Sequence, residues 1–238
     1  MLGIKENWIM KMNKWCYLER FVLMVCVCSI LGCVANSLYS VNLRYDAADA
    51  VIPSYLIADQ KIQEKTISVA EFTDTRKIED RLVIGKVVEK DGMKILVLPQ
   101  YTKPTQALAQ GIKEYLRKAG YKVTAKLEKW DLKEENLPKI NSRILVGGNI
   151  EEMEITCRRG FPTNSYKTTI RLNIIIADLA NNKIIYKSTV ESVISQEHVS
   201  FSEERLGDQA SIALGDSIEK VFEEKAVALK IKEILTAQ

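Results

Sequence analysis

Histidine is almost missing from this chain: one residue, His198, in 238. That excludes any multi-histidine metal site and removes the commonest general base from all positions but one. His198 follows a predicted strand beside Glu197 and Ser200, without a nucleophile-elbow motif, and reads as a surface or capping histidine. Cysteine is scarce where it would count. Of five, Cys16, Cys26, Cys28 and Cys33 fall in the first 33 residues, and only Cys157 lies further on, so no disulfide framework can be built in the folded part. Charge of one sign is lacking too: the formal net charge is +3, and residues 1–32 carry four basic and two acidic side chains, leaving +1 without them. Such a balance lacks the electrostatic footprint of a phosphate-neutralising surface, so nucleic acid is not an expected partner. No apolar run reaches the ~20 residues needed for a transmembrane helix, and neither repeats nor low-complexity tracts occur.

What is present begins with a targeting signal. Lys11 to Arg20 is polar and net positive, and it runs into Phe21–Gly32, an apolar stretch of twelve. This is the order of a secretory leader. Ile30-Leu31-Gly32-Cys33 then reads as a lipobox, which predicts cleavage between Gly32 and Cys33, a diacylglycerol on the Cys33 thiol and an acyl chain on its new amino group. Several acyl chains at ~0.8 kcal/mol per buried methylene hold a protein firmly on a membrane. No other cofactor is expected. Val34 rather than Asp after Cys33 points to the outer membrane under the enterobacterial sorting pattern, with the chain facing the periplasm.

Three segments follow from this: a signal peptide at 1–32, a lipidated cysteine and tether at 33–65 with one edge strand near Val41–Tyr45, and a single domain at 66–238. Its composition, 47% hydrophobic and 27% charged, is that of a globular protein. Strands are predicted at Thr66–Phe72, Leu82–Glu89 and Met93–Leu98, the last two joined by Lys90-Asp91-Gly92, a strong hairpin signal. Apolar residues Leu108, Ile112, Tyr115, Leu116 and Ala119 recur at helical spacing between Pro104 and Gly120. A strand at Tyr121–Leu127 and a charged surface connection at Lys129–Pro138 follow. Further strands are predicted at Arg143–Cys157, Tyr166–Ala177 and Lys183–Ser195. The first changes apolar phase between Ile150 and Met153, which predicts a β-bulge near Glu151. The last two alternate cleanly and predict one buried and one wet face. A helical stripe over Asp208–Leu235 closes the chain. The expected class is α+β, a mostly antiparallel sheet with two helices packed on one face.

The lipobox at Cys33, Val69-Ala-Glu-Phe-Thr-Asp74-Thr-Arg76, Ile84-Gly85 and the helix leading into Ala119-Gly-Tyr-Lys-Val123 together resemble the YajG-type family of bacterial outer-membrane lipoproteins. The resemblance covers Cys33 to Leu127 in motifs and the later strands in pattern. It implies a fold like the amino-terminal domain of TolB and related envelope lipoproteins. Members of the family have no established activity. The charged Lys129–Asn141 connection and the Arg158-Arg-Gly-Phe-Pro162 loop depart from the family's simplest pattern.

Within the domain, Asp74 and Arg76 offer either a ligand contact or an ordinary turn whose Asp side chain bonds local backbone. Glu151, Glu152 and Glu154 read as a solvated face, Gly147-Gly148 as a close-packed strand, and Cys157 as a half-buried strand residue. Arg158, Arg159 and Phe161 place two cations and an aromatic on a hairpin tip, a mix enriched at interface hot spots. No constellation supplies a nucleophile, a base and an orienting group, and no metal is called for. The expected function is therefore non-enzymatic, a lipid-anchored envelope accessory protein that binds an envelope protein. The alternative is a periplasmic small-molecule or lipid-binding carrier, which would need a cavity lined from Ile170 to Ile176.

Overall fold

The computed structural model describes residues 38–59, 62 and 64–236, so the leader, Gly32 and Cys33 lie outside the described residues. The described part from Leu38 onward is one compact unit. Its backbone is a meander of three long antiparallel strands, β7 (Ile144–Arg158), β8 (Asn164–Asp178) and β9 (Lys183–His198). Short strands line the other side of β7. Its first half pairs in parallel with β2 (Thr66–Ala70) and β3 (Thr73–Asp74). Its second half pairs in parallel with β4 (Gly85–Val88). From β2 the sheet continues to β6 (Lys122–Glu128), and from β4 through the antiparallel β5 (Lys94–Pro99) to β1 (Leu38–Val41). The sheet is therefore mixed, with the long antiparallel ladders dominating. The expected bulge is present, a register shift between Ile150 and Glu152, and it falls where β7 passes from β3 to β4 as neighbour.

Helix α1 (Pro104–Lys118) begins on Pro104, whose missing N–H costs nothing in the first turn. It ends as Gly120 turns to φ +91° and Tyr121 donates to the Leu116 carbonyl at 3.0 Å. Helix α2 (Glu203–Glu223) is capped by the Ser202 side chain, which accepts from Arg205 N at 3.2 Å. Both pack on one sheet face, joined by Tyr115 stacked on Phe222 with centroids 5.3 Å apart. The α+β class is thus as expected. The closing helical stripe, however, is two helices. Glu224 has φ −65° and ψ 109°, extended backbone that interrupts the pattern before α3 (Lys225–Thr236).

Two segments differ from expectation for the same physical reason, burial without periodicity. Residues assigned to the tether belong to the core: Val41, Leu43, Tyr45, Leu56 and Ile62 are all buried. The folded unit therefore starts at Leu38, not Thr66. Tyr45 packs between helices at two glycines. A Cβ on Gly111 would lie 3.0 Å from the Tyr45 Cβ, and one on Gly215 would lie 3.5 Å from the Tyr45 ring. The Lys129–Pro138 connection does not merely run over the surface. Trp130, with Leu132, Leu137 and Ile140, covers the helix-free face of β7 and β8 at Leu145, Ile175 and Ala177. That is why the second half of β8 is buried on both faces.

Candidate functional site

Four places hold the residues singled out by the sequence. The first is the Asp74–Arg76 pair. β3 ends against Ile150, just before the bulge, and the chain turns away there. Arg76 N donates to Asp74 Oδ1 at 3.1 Å, an Asx turn. The guanidinium then folds inward until its side chain is only 2% exposed. Nε donates to both Asp74 oxygens at 3.0 and 3.2 Å, and Nη2 to Oδ2 at 2.7 Å and to the Arg81 carbonyl at 2.7 Å. Nη1 donates to the carbonyls of Val83 at 2.9 Å and Met153 at 3.3 Å. All five N–H donors are therefore used inside the protein, and none is left for a ligand. Burial pushes the Asp74 carboxyl up, but hydrogen bonds and charge from Arg76 outweigh it and hold the pKa below its usual value. The geometry supports the turn, with Arg76 clipping the 75–84 loop to β7.

Beside this clip runs an open groove of about 1020 Å³ on the helix-free face, lined by Ile78, Lys86, Leu96, Glu151, Glu152, Glu154 and Arg171. Two of its carboxylates are engaged across strands. Glu154 pairs with Lys86, and Arg171 bridges Glu152 at 3.4 Å and Glu191 at 3.2 Å. Exposed apolar side chains gather along it: Ile78 and Leu96 at its wall, Leu82 in the same loop, and Leu38 opposite Leu96 across the β1–β5 rung. Among the described residues, no group of three His, Cys, Asp or Glu is placed to hold a metal ion.

The third place is the β7–β8 tip. Phe161 is 91% exposed, and Arg158 is exposed beside it. Arg159 is not free. It meets Glu89 at 3.3 Å and stacks its guanidinium over Phe201, 4.9 Å from the ring centroid. The structure thus separates the three residues: two point to solvent, and the third locks the turn to its neighbours. Cys157, in contrast to its half-buried reading, is fully buried. Burial is the main cause that drives its thiol up to about 11.

His198 lies on the next rung. Its Nδ1 is 2.8 Å from an Arg205 guanidinium nitrogen and its Nε2 is 3.2 Å from Gln196 Oε1. A guanidinium can only donate, so Nδ1 accepts and the proton sits on Nε2, directed at Gln196. Neither ring nitrogen is left to take a proton from a substrate. Sequence reading missed a second groove, about 960 Å³, between residues 40–50 and α2, whose lining includes Asp46, Asp49, Glu204, Asp208, Asp216 and Glu219. Burial, then the nearby carboxylates of Asp216 and Glu223, raises the Glu219 pKa. The legible signal was Glu204 and Asp208 four residues apart, with Asp216 eight further along the same helix stripe. Neither groove is lined by Ile170, Leu172, Ile174 or Ile176, which are fully buried.

By sequence the chain matches no family model and no curated protein. By structure it is similar to protein XCC0632 from Xanthomonas campestris, of family DUF330. The TM-score is 0.51 at 12% identity, over 83% of this chain and 99% of that one. Those two share a fold. Weaker likenesses run to a putative neuraminyllactose-binding hemagglutinin homolog from Helicobacter pylori, with TM-score 0.40, 9% identity and coverage of 79% and 98%. Another is the lipoprotein GNA1162 from Neisseria meningitidis, with TM-score 0.35, 11% identity and coverage of 68% and 99%.

Proposed function

We propose that this chain is a lipid-anchored, non-enzymatic accessory protein of the bacterial envelope, of the YajG type. It is cut before Cys33, acylated there, held on the outer membrane facing the periplasm, and binds an envelope protein. The observation that carries the binding reading is the apolar line of Leu38, Leu96 and Ile78, which are 53%, 43% and 43% exposed. It runs along an open groove whose rim is charged and in part internally paired. An exposed apolar patch with a polar rim is the anatomy of a protein contact surface. Arg158 and Phe161 lie beyond the end of this line. A non-enzymatic role is supported by His198, which commits both ring nitrogens to Gln196 and Arg205. A carrier is less well supported, because the Ile170–Ile176 face is filled by α2 rather than hollow.

A photo-crosslinker at position 96 tests the binding surface in intact cells, with position 126 on β6 as the control, since Lys126 is 83% exposed on another edge. An envelope protein captured from 96 and not from 126 is the expected result. With the purified pair, Leu96→Ala together with Ile78→Ala should lower affinity by roughly tenfold or more. Equal adducts at both positions, or unchanged affinity in the double variant, would remove this surface from the interface.

A further inference from the structure

The strand directions bring four features to one end of the sheet. β1 runs parallel to β5 with Leu38 opposite Leu96, so the chain enters the fold at the end where β5 starts, next to the 89–93 turn. β4 and β7 are parallel, with Val88 opposite Arg158, and Arg159 N donates to the Val88 carbonyl at 2.9 Å. The 159–163 turn therefore stands beside the 89–93 turn. Asn164 pairs with His198 across β8 and β9, and its Nδ2 donates to the carbonyls of His198 and Val199 at 3.2 and 3.1 Å. The loop entering α2 thus joins the same end.

Each of these three loops presents an apolar side chain to solvent: Phe161 at 91% exposure, Val199 at 80% and Met93 at 54%. Around them Lys90, Lys94 and Arg158 are exposed cations, Glu203 and Glu204 are exposed acids in the first turn of α2, and Asp91 and Glu197 are exposed acids beside the tips. The two beside the tips are hydrogen-bonded locally, Asp91 accepting from Met93 N at 2.9 Å and Glu197 from the Thr163 hydroxyl at 3.0 Å. Arg159 and Glu89 neutralise each other. The end is therefore apolar at its tips, with cations and acids interspersed around them. Cys33 lies five residues before Leu38, and five extended residues span at most ~18 Å. An acyl anchor at Cys33 would hold this end of the sheet close to the lipid.

We propose that this end of the sheet rests on the bilayer. Phe161, Val199 and Met93 enter the boundary between headgroups and acyl chains, with Lys90, Lys94 and Arg158 against lipid phosphates. Single apolar side chains on separate loop tips suit a fluid interface, which closes around each of them, better than a rigid protein surface, which would need a matching pocket for each. A short tether strengthens so small a contact, because attachment makes the second binding event intramolecular. The docked end then leaves the Leu38–Leu96–Ile78 line at the side of the molecule. This inference rests on acylation at Cys33.

The test uses the acylated protein carrying Phe161→Trp, reconstituted into vesicles of phosphatidylethanolamine and phosphatidylglycerol that include bromine-labelled phosphatidylcholine. Trp130 is buried and supplies a constant background. Tyr101→Trp is the control, since Tyr101 is 76% exposed just past the opposite end of β5. The expected result is that the indole introduced at position 161 emits further to the blue and is quenched by roughly half, while the one at position 101 is unquenched. If intact mass confirms the acyl chains and the position-161 indole is not quenched, the anchor stands and the docking is overturned. Equal quenching at both positions overturns the stated orientation. Crosslinking of position 161 to a protein in cells, with no quenching in vesicles, would hand the tip to that protein instead. Protein lacking acyl chains overturns the anchor and this inference with it.

Discussion

Arg76 is the residue whose role is most sharply defined by geometry. Its charge is removed from water, and a half-buried carboxylate and three carbonyls offset that loss. Arg76→Met leaves Asp74 without its partner, with its side chain 15% exposed, and leaves three carbonyls without this donor. Breaking a buried pair from one side costs about 3–5 kcal/mol, so a urea titration should show a loss of that order. A ligand-binding arginine would behave in the opposite way, since removing binding residues tends to leave stability unchanged or improved. A stability change within ~0.5 kcal/mol would contradict the clip. The pH dependence has a defined sign. Asp74 has a folded pKa below the unfolded value of ~3.9. Its contribution is present above that value and is lost as pH falls through the lower, folded one. Without Arg76, burial is left to raise the Asp74 pKa, so the gap between wild type and Arg76→Met should hold constant only above that raised value and shrink as pH falls from there through the lower, wild-type one.

Cys157 gives the converse case. Its folded pKa is pushed up to about 11, above the ~8.5 of a free thiol. The stability this represents is full below the unfolded value and lost as pH rises through the folded one. A buried, protonated thiol is also unreactive. Ellman's reagent at about pH 8, near the free-thiol pKa, should leave Cys157 untouched in the native domain and label it completely in denaturant. Rapid native labelling would show that the β7–β8 end opens. That Cys157 is free was readable from the cysteine spacing. That it is fully buried was not, because the core cluster that covers it is assembled from segments far away in sequence.

Elements with strong periodicity or punctuation were legible. The Asp91-Gly92 hairpin forms, with Gly92 at φ +89°, and α1 runs from Pro104 to Lys118, just short of Gly120, as its apolar spacing requires. The phase slip in β7 located the bulge to within a residue. Pairing partners were not legible, since nothing local to β2, β3 or β4 announces that each lies parallel to β7. Burial on the second face of β8 left one signal in the sequence: Ile174, Ile175 and Ile176 are consecutive, and a run without alternation marks a strand covered on both sides. Gly147 lies under that layer, against Trp130 and Leu132, and Gly148 faces Phe72 on the other side, both closely approached as a close-packed strand predicts. A Cβ on Gly148 would run into the Asn173 carbonyl of β8, backbone that cannot swing aside. Gly148→Ala should lower stability by about 1–3 kcal/mol through overpacking. A thermal melt indistinguishable from wild type would contradict that close approach.

At the scale of the whole molecule, the composition bounded what the protein does more than where it does it. One histidine excludes a multi-histidine metal site and a lone domain cysteine excludes a disulfide within it, and the structure places His198 and Arg76 in hydrogen-bond sets with other residues of the chain. The Leu38–Leu96–Ile78 line could not be read beforehand, because it is assembled from three separate stretches of chain. The acidic groove along α2 is likewise completed by residues 40–50, which looked like tether. The account depends on Cys33 tying this domain to a membrane: the short link to Leu38, the exposed loop tips at that end and the free side of the sheet all take their meaning from it. Intact-mass measurement of the protein extracted from membranes tests that most directly. The account predicts a chain beginning at Cys33 and carrying a diacylglycerol and an N-acyl group. A chain that retains residues 1–32, or begins at Cys33 without acyl groups, would contradict it.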